Sequence, residues 1–109
     1  MKMLKIAKDI VESILQRQIL HYLNALPNCK AVKVMKANEE GMPDIFCCYR
    51  GTMIAIEVKA SEEDARVSRE HQKRQAMQLE QWGEAGAFTM YAWDVEQVEK
   101  FVGWIGTKL

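Results

Sequence analysis

The sequence predicts an α/β domain in which a mixed four-stranded sheet is flanked by helices, in the order α-β-β-β-α-β-α. Three observations predict it. Apolar residues recur at helical spacing near the start of the chain. Two short strand-like runs are joined by Arg50-Gly51, where glycine can take the positive φ of a tight hairpin. A long helical segment then separates the third strand-like run from the fourth, which is the connection a right-handed parallel crossover needs. With 109 residues, 49% of them hydrophobic, one core is within reach and two independent cores are not, so residues 1–109 are expected to form a single domain.

The elements follow in order. From Met3 to Leu26, Ile6, Ile10 and Ile14, then Val11 and Leu15, recur every three to four residues and continue through Tyr22 and Leu26, until Pro27-Asn28 ends the helix. Ala31 to Met35 reads as a first strand, with Val32 and Val34 on either side of Lys33. After the polar break Asn38-Glu39-Glu40-Gly41, Ile45 to Tyr49 and Met53 to Val58 form the second and third strands, paired antiparallel. Residues 60–66 are polar and charged, and predict a loop. Ser68 is placed to cap a helix running to Ala85, with Glu70 favourable in its first turn, Gly83 weakening its end and Gly86 stopping it. Ala87 to Trp93 predicts the fourth strand. Asp94 and Gln97 form a capping-box pattern before a last helix bearing Val98, Phe101, Val102 and Ile105. No repeat, low-complexity tract or linker interrupts this order.

Fifteen basic residues balance fifteen acidic ones, so overall charge does not select a polyanionic partner and any nucleic-acid surface has to be local. The three cysteines Cys29, Cys47 and Cys48 are odd in number, and two are adjacent, which suits neither a disulfide framework nor a zinc site and suits a reducing compartment. Lys2, Lys5, Lys8 and Asp9 break up the apolar residues of the N-terminus, so a signal peptide or membrane span is not expected there and a soluble, cytoplasmic protein is.

The chemistry gathers on the hairpin. Period-two alternation puts Met53, Ala55, Glu57 and Lys59 on one face of the third strand, and strict pairing about Arg50-Gly51 sets Asp44 opposite Glu57. Two facing carboxylates suit a hard divalent ion, which takes oxygen ligands from one or two carboxylates, water and substrate phosphate. An ammonium beside them can orient a water or steady charge on phosphate. Singly, each residue has an ordinary explanation, because Asp after Pro is turn chemistry and Glu with Lys at a strand end is commonly a solvated pair. Together they concentrate like charge where a core would avoid it.

Gly41-Met42-Pro43-Asp44-Ile45-Phe46 followed by Glu57-Val58-Lys59 resembles the motif of the PD-(D/E)xK nuclease superfamily, and more closely its VRR-NUC branch, whose members carry G-x-P-D and then E-V-K. The similarity covers most of the chain. It implies a restriction-endonuclease-like core that hydrolyses DNA phosphodiesters, with Mg²⁺ or Mn²⁺ on Asp44 and Glu57 and further ligation by the Val58 carbonyl and by Glu12 of the first helix. It also implies that Lys59 positions the attacking water and that a glutamine of the following helix completes the site. Gln72 and Gln75 are both available, and Gln75 fits better by its distance to Ala85-Gly86-Ala87. Ala60-Ser61-Glu62-Glu63-Asp64 departs from the glycine-containing loop of many relatives, which bears on substrate preference more than on catalysis. A chain without an accessory domain resembles the stand-alone, phage-type members, which implies a homodimer that cuts branched DNA such as four-way (Holliday) junctions. Two equivalent sites in a two-fold dimer match two strands of a two-fold junction. The competing readings are a catalytically silent nucleic-acid-binding module and a small subunit of a larger nuclease or packaging complex.

Arg66, Arg69, His71, Lys73 and Arg74 cluster near the start of the second long helix, and the arginines and Lys73 are expected to neutralise DNA phosphates. Neighbouring Glu62, Glu63, Asp64 and Glu70 offer them the alternative of local ion pairs. His71 alone reads as a surface residue, His21 as packing or surface, and Trp82, Trp93 and Trp104 as core or interface.

Overall fold

The computed structural model describes residues 2–66 and 70–109. Arg50 and Gly51 take φ values of 51° and 84°, the left-handed pair that a two-residue hairpin turn demands. They fold Ile45–Tyr49 (β2) onto Thr52–Val58 (β3) in antiparallel register, from Tyr49 opposite Thr52 to Ile45 opposite Ile56. Cys29–Lys33 (β1) pairs antiparallel with β2 on its other edge. Phe88–Ala92 (β4) runs parallel to β3, so the mixed sheet has the order β1-β2-β3-β4. The predicted antiparallel start and parallel end are both present.

Strand β1 begins two residues earlier than the apolar pattern suggests. Asn28 adopts φ 56° and turns the chain directly out of the first helix, Lys2–Asn24 (α1). The Asn24 side chain then brackets Ala31, donating to its carbonyl at 3.0 Å and accepting from its amide at 2.8 Å, which satisfies backbone groups on the edge of the sheet. The inward residue of this strand is Ala31, and Val32 is half exposed.

The crossover from β3 to β4 contains two helices. Residues 60–66, predicted as loop, include the short helix Glu62–Arg66 (α2). The Ser61 hydroxyl accepts from the Asp64 amide at 3.2 Å, three acidic side chains occupy the first turn, and Arg66 pairs with Glu62 at 2.7 Å. Capping, the helix dipole and an i,i+4 pair together outweigh the polar composition. The long helix Glu70–Glu84 (α3) follows, while Ser68, the predicted cap, lies outside the described residues. The last helix, Val95–Lys108 (α4), begins with the predicted capping box: Asp94 Oδ1 accepts from the Gln97 amide at 2.8 Å, and Gln97 Oε1 accepts from the Asp94 amide at 3.0 Å.

Sheet pairing sorts the side chains into two layers. Ala31, Cys47, Ile45, Ile54, Ile56, Val58 and Ala92 share the face that packs against Ile19 and Leu23 of α1 and Val98, Val102 and Ile105 of α4. On this face the free thiols of Cys29 and Cys47 lie 3.2 Å apart. The opposite face carries Phe46, Ala55, Glu57 and Thr89 and is covered by α3, where Phe46 meets Trp82 edge-on at 4.8 Å. Among the described residues no helix is long and apolar enough to cross a membrane.

Candidate functional site

Pro43 is buried and leads Asp44 into β2, one step beyond the Ile45–Ile56 pair and therefore across from Glu57. One Asp44 oxygen, Oδ2, accepts from the Val58 amide at 2.8 Å. This bond fixes the carboxylate against the end of β3. Glu57 is 2% exposed; its Oε1 accepts from Gln75 Nε2 at 3.3 Å, and its Oε2 is buried with no hydrogen-bond partner. Burial first, and the neighbouring Asp44 carboxylate next, push the Glu57 carboxyl up to about 10, with Lys59 opposing and Glu12 adding to the shift.

Lys59 follows on the same face. Its amide donates to the Ala92 carbonyl at 2.9 Å, which holds the end of β3 against β4, and its buried Nζ donates to Gln75 Oε1 at 2.5 Å. An ammonium only donates, so the Gln75 oxygen must face it and the amide nitrogen must face Glu57. The same nitrogen lies 3.3 Å from His71 Nε2, within hydrogen-bond reach of the imidazole. Gln75 thus ties a lysine, a carboxyl and a histidine into one chain of hydrogen bonds.

Gln75 is placed by the loop before Pro43. Gly41, at φ 77°, lies so close to α3 that a Cβ there would stand 2.8 Å from the Arg74 carbonyl carbon and 2.9 Å from the Gln75 amide nitrogen. Gln78 Nε2 donates to Glu39 Oε1 at 2.9 Å, and Arg74 pairs with Glu40. The segment that delivers Asp44 to the sheet is therefore clamped to the helix that delivers Gln75.

From the other side α1 contributes Glu12, whose carboxyl is raised above its ordinary value by burial, opposed by the Lys59 ammonium and reinforced by Asp44 and Asp9. Between α1, α2 and α3 lies a cleft of about 370 Å³ lined by Lys59, Gln75, Glu12 and His71, with Lys5, Lys8, Asp9, Asp64 and Gln72 around them. Asp44 and Glu57 lie beside Lys59 at the carboxyl end of β3 and are not among the residues that line the cleft.

A solved structure described as a VRR_NUC domain superposes on this chain with a TM-score of 0.68, covering 85% of this chain and 95% of that one at 22% identity. The fold is that of a VRR_NUC domain. No family model and no curated protein matches the sequence. Within the VRR_NUC fold, the residues singled out from sequence meet at one place: Asp44, Glu57 and Lys59 at the end of β3, Gln75 from α3 and Glu12 from α1. Val58 contributes its amide to Asp44.

The basic cluster does not gather in the same way. Arg66 pairs with Glu62 and Arg74 with Glu40, neither lines the cleft, Lys73 is exposed, and Arg69 lies outside the described residues. His71, read from sequence as a surface residue, is exposed and also lines the cleft. Sequence reasoning missed Lys5, Lys8 and Asp64. Stepping back from Glu12 by three to four residues along α1 reaches Lys8 and then Lys5, a signal obscured by the apolar periodicity of the same helix. It also missed Tyr91, which pairs with Glu57 in the parallel register and whose hydroxyl is raised by burial and by the Glu57 charge.

Proposed function

We propose that this chain is a metal-dependent DNA endonuclease acting through Asp44, Glu57 and Lys59, supported by Gln75 and Glu12. The observation that carries the reading is the unpartnered, buried Glu57 Oε2 beside Asp44. An unsatisfied carboxyl oxygen in a core costs on the order of 1–3 kcal/mol or more, and a cation held there offsets that cost.

The donor set fits a hard divalent ion. Among the described residues no three His, Cys, Asp or Glu side chains converge into a closed cage, and Mg²⁺ characteristically takes one or two carboxylates and completes its shell with water and phosphate oxygens. Asp44 and Glu57 would hold Mg²⁺ or Mn²⁺, with the Val58 carbonyl and Glu12 as further oxygen donors. When bound, the ion supplies Lewis acidity toward a phosphate oxygen and a more acidic water. Lys59 Nζ, anchored on Gln75 Oε1, orients the attacking water and offsets negative charge that develops on the phosphate. Gln75 keeps that ammonium and the Glu57 carboxyl in fixed relation. Burial of Lys59 and Glu57 excludes bulk water from the reacting groups and strengthens both interactions.

The substrate we propose is DNA, branched forms such as four-way junctions in particular, and the working unit a homodimer. Exposed apolar side chains along the first turns of α1, Met3, Ile6, Ile10 and Ile14 among them, support self-association.

The test incubates purified protein with labelled four-way junction, flap, single-stranded and plain duplex DNA in Mg²⁺, Mn²⁺ or EDTA, beside Lys59→Ala and Asp44→Asn. Cutting is expected only with a divalent ion, with a loss on the order of 100-fold or more in either variant. Paired nicks placed symmetrically across the junction are the expected product on that substrate. Cleavage that persists in EDTA or in Lys59→Ala sinks the reading. Binding without cutting by the wild-type chain makes it a silent module or a subunit.

A further inference from the structure

We propose that Lys8, with Lys5 one turn before it, forms a DNA-phosphate subsite on the α1 wall of the cleft, and that Asp64 occupies Lys8 as a stand-in for phosphate until DNA arrives. The subsite rests on the nuclease reading above and deepens it.

The ion pair reaches across the cleft from one element to another. Lys8 Nζ stands 2.7 Å from Asp64 Oδ1, so α1 is joined to α2, and both residues line the cleft with Lys59, Gln75 and His71. Lys8 sits one turn before Glu12 on α1, and Glu12 senses the Lys59 and Asp44 charges. A strand whose scissile phosphate lies at Lys59 therefore meets Lys8, and then Lys5, if it continues outward along α1. A carboxylate and a phosphodiester present the same kind of anionic oxygen to an ammonium, so one can replace the other at Lys8 Nζ.

Electrostatics make such a subsite necessary. Asp9, Glu12 and Asp64 face the cleft, so a polyanion entering there needs compensating cations. Arg66 and Arg74 are turned away into pairs with Glu62 and Glu40. Among the described residues, Lys5 and Lys8 are the lysines besides Lys59 that line the cleft. The Lys5 side chain is largely exposed and has only a loose 3.9 Å contact with Asp9, which leaves it available to phosphate.

A tether that merely holds α2 in place makes a different prediction, and the sign of the effect separates the two. Binding of fluorescent junction and duplex DNA is measured by anisotropy over a range of salt, with Ca²⁺ replacing Mg²⁺, for wild type, Lys8→Gln, Lys8→Arg and Asp64→Asn. Lys8→Gln is expected to weaken binding about three- to fivefold and to flatten the log–log salt slope by about 0.9, the loss of one phosphate contact. Lys8→Arg is expected to retain both. Asp64→Asn, which frees the ammonium, is expected to tighten binding by a similar factor. If Lys8→Gln and Asp64→Asn both weaken binding, or if Lys8→Gln leaves the slope unchanged, the subsite is overturned, and thermal melting of each variant shows whether misfolding is the cause of weakening. Wild-type protein that cuts DNA while these variants fail to diverge loses the subsite alone. Wild-type protein that neither binds nor cuts DNA loses the nuclease reading and the subsite with it.

Discussion

Glu57 commits one carboxyl oxygen to Gln75 and leaves the other buried without a partner, and this division has a measurable effect on stability. In the metal-free protein the folded chain keeps the Glu57 proton up to about 10, whereas the unfolded chain releases it near the ordinary value of 4.5. Above that ordinary value the unfolded state gains free energy by ionising and the folded state does not. Stability contributed by this group is therefore complete below 4.5 and is lost as pH rises toward the folded value. By pH 7 the loss is about 3 kcal/mol. Glu57→Gln keeps the size and the neutrality of the group, so its metal-free melting temperature is expected to exceed that of wild type by roughly 20 °C at pH 8. The two should converge near pH 4, and added Mg²⁺ should stabilise wild type but not the variant. A Glu57→Gln protein that melts below wild type at pH 8 in EDTA would mean that Glu57 is held as an anion.

At the scale of elements, the functional arrangement depends on the contact between the Gly41 loop and α3. Gly41→Ala introduces a side chain at positive φ and drives it into the backbone at Arg74 and Gln75. The expected cost is about 2–4 kcal/mol, read by urea unfolding, with cleavage falling further than DNA binding because Gln75 moves relative to Lys59. A change within about 0.5 kcal/mol would show that the loop yields freely. The sequence displayed Gly41 as part of a motif without showing why glycine is needed, because the reason is a helix more than thirty residues away. Other features were local and therefore legible. The Arg50-Gly51 hairpin set Asp44 opposite Glu57, period-two alternation put Glu57 and Lys59 on one face, and Asp94 with Gln97 marked the start of α4. Short polar residues that override the composition were harder to read: Asn24 and Asn28 set where β1 begins, and the Ser61 cap lets α2 form where composition suggested loop. Features that depend on partners distant in the chain were not legible. Lys8 and Asp64 are 56 positions apart and come together only when α1 packs onto the sheet.

At the scale of the whole molecule, the proposed homodimer makes its prediction on the first turns of α1, where apolar side chains face outward. Met3, Leu4, Ile6, Ile10, Val11 and Ile14 are all exposed, and a shallow groove runs past Ile6, Asp9, Ile10, Ser13, Ile14 and Arg17. Asp9 and Arg17 lie two turns apart on this face with the small Ser13 midway between them. An antiparallel copy of α1, related by a two-fold axis through Ser13, would set Asp9 against Arg17 of the second copy twice over, with the isoleucines beside them. Arg17 has no ion-pair or hydrogen-bond partner among the described residues, so it is available for that contact. Sedimentation is expected to give a particle about twice the 12.6 kDa chain mass, and Ile10→Asp to give the monomer. Asp9→Arg and Arg17→Asp are each expected to weaken the dimer, and the two together to restore it, a result that general loss of folding cannot produce. Wild-type protein that sediments as a monomer at tens of micromolar would remove the interface. Asp9 borders both this groove and the cleft at Lys59, so dimerisation through α1 would bring each subunit to the edge of the other's cleft. The monomeric Ile10→Asp variant should then lose paired incision of a junction while still nicking single strands.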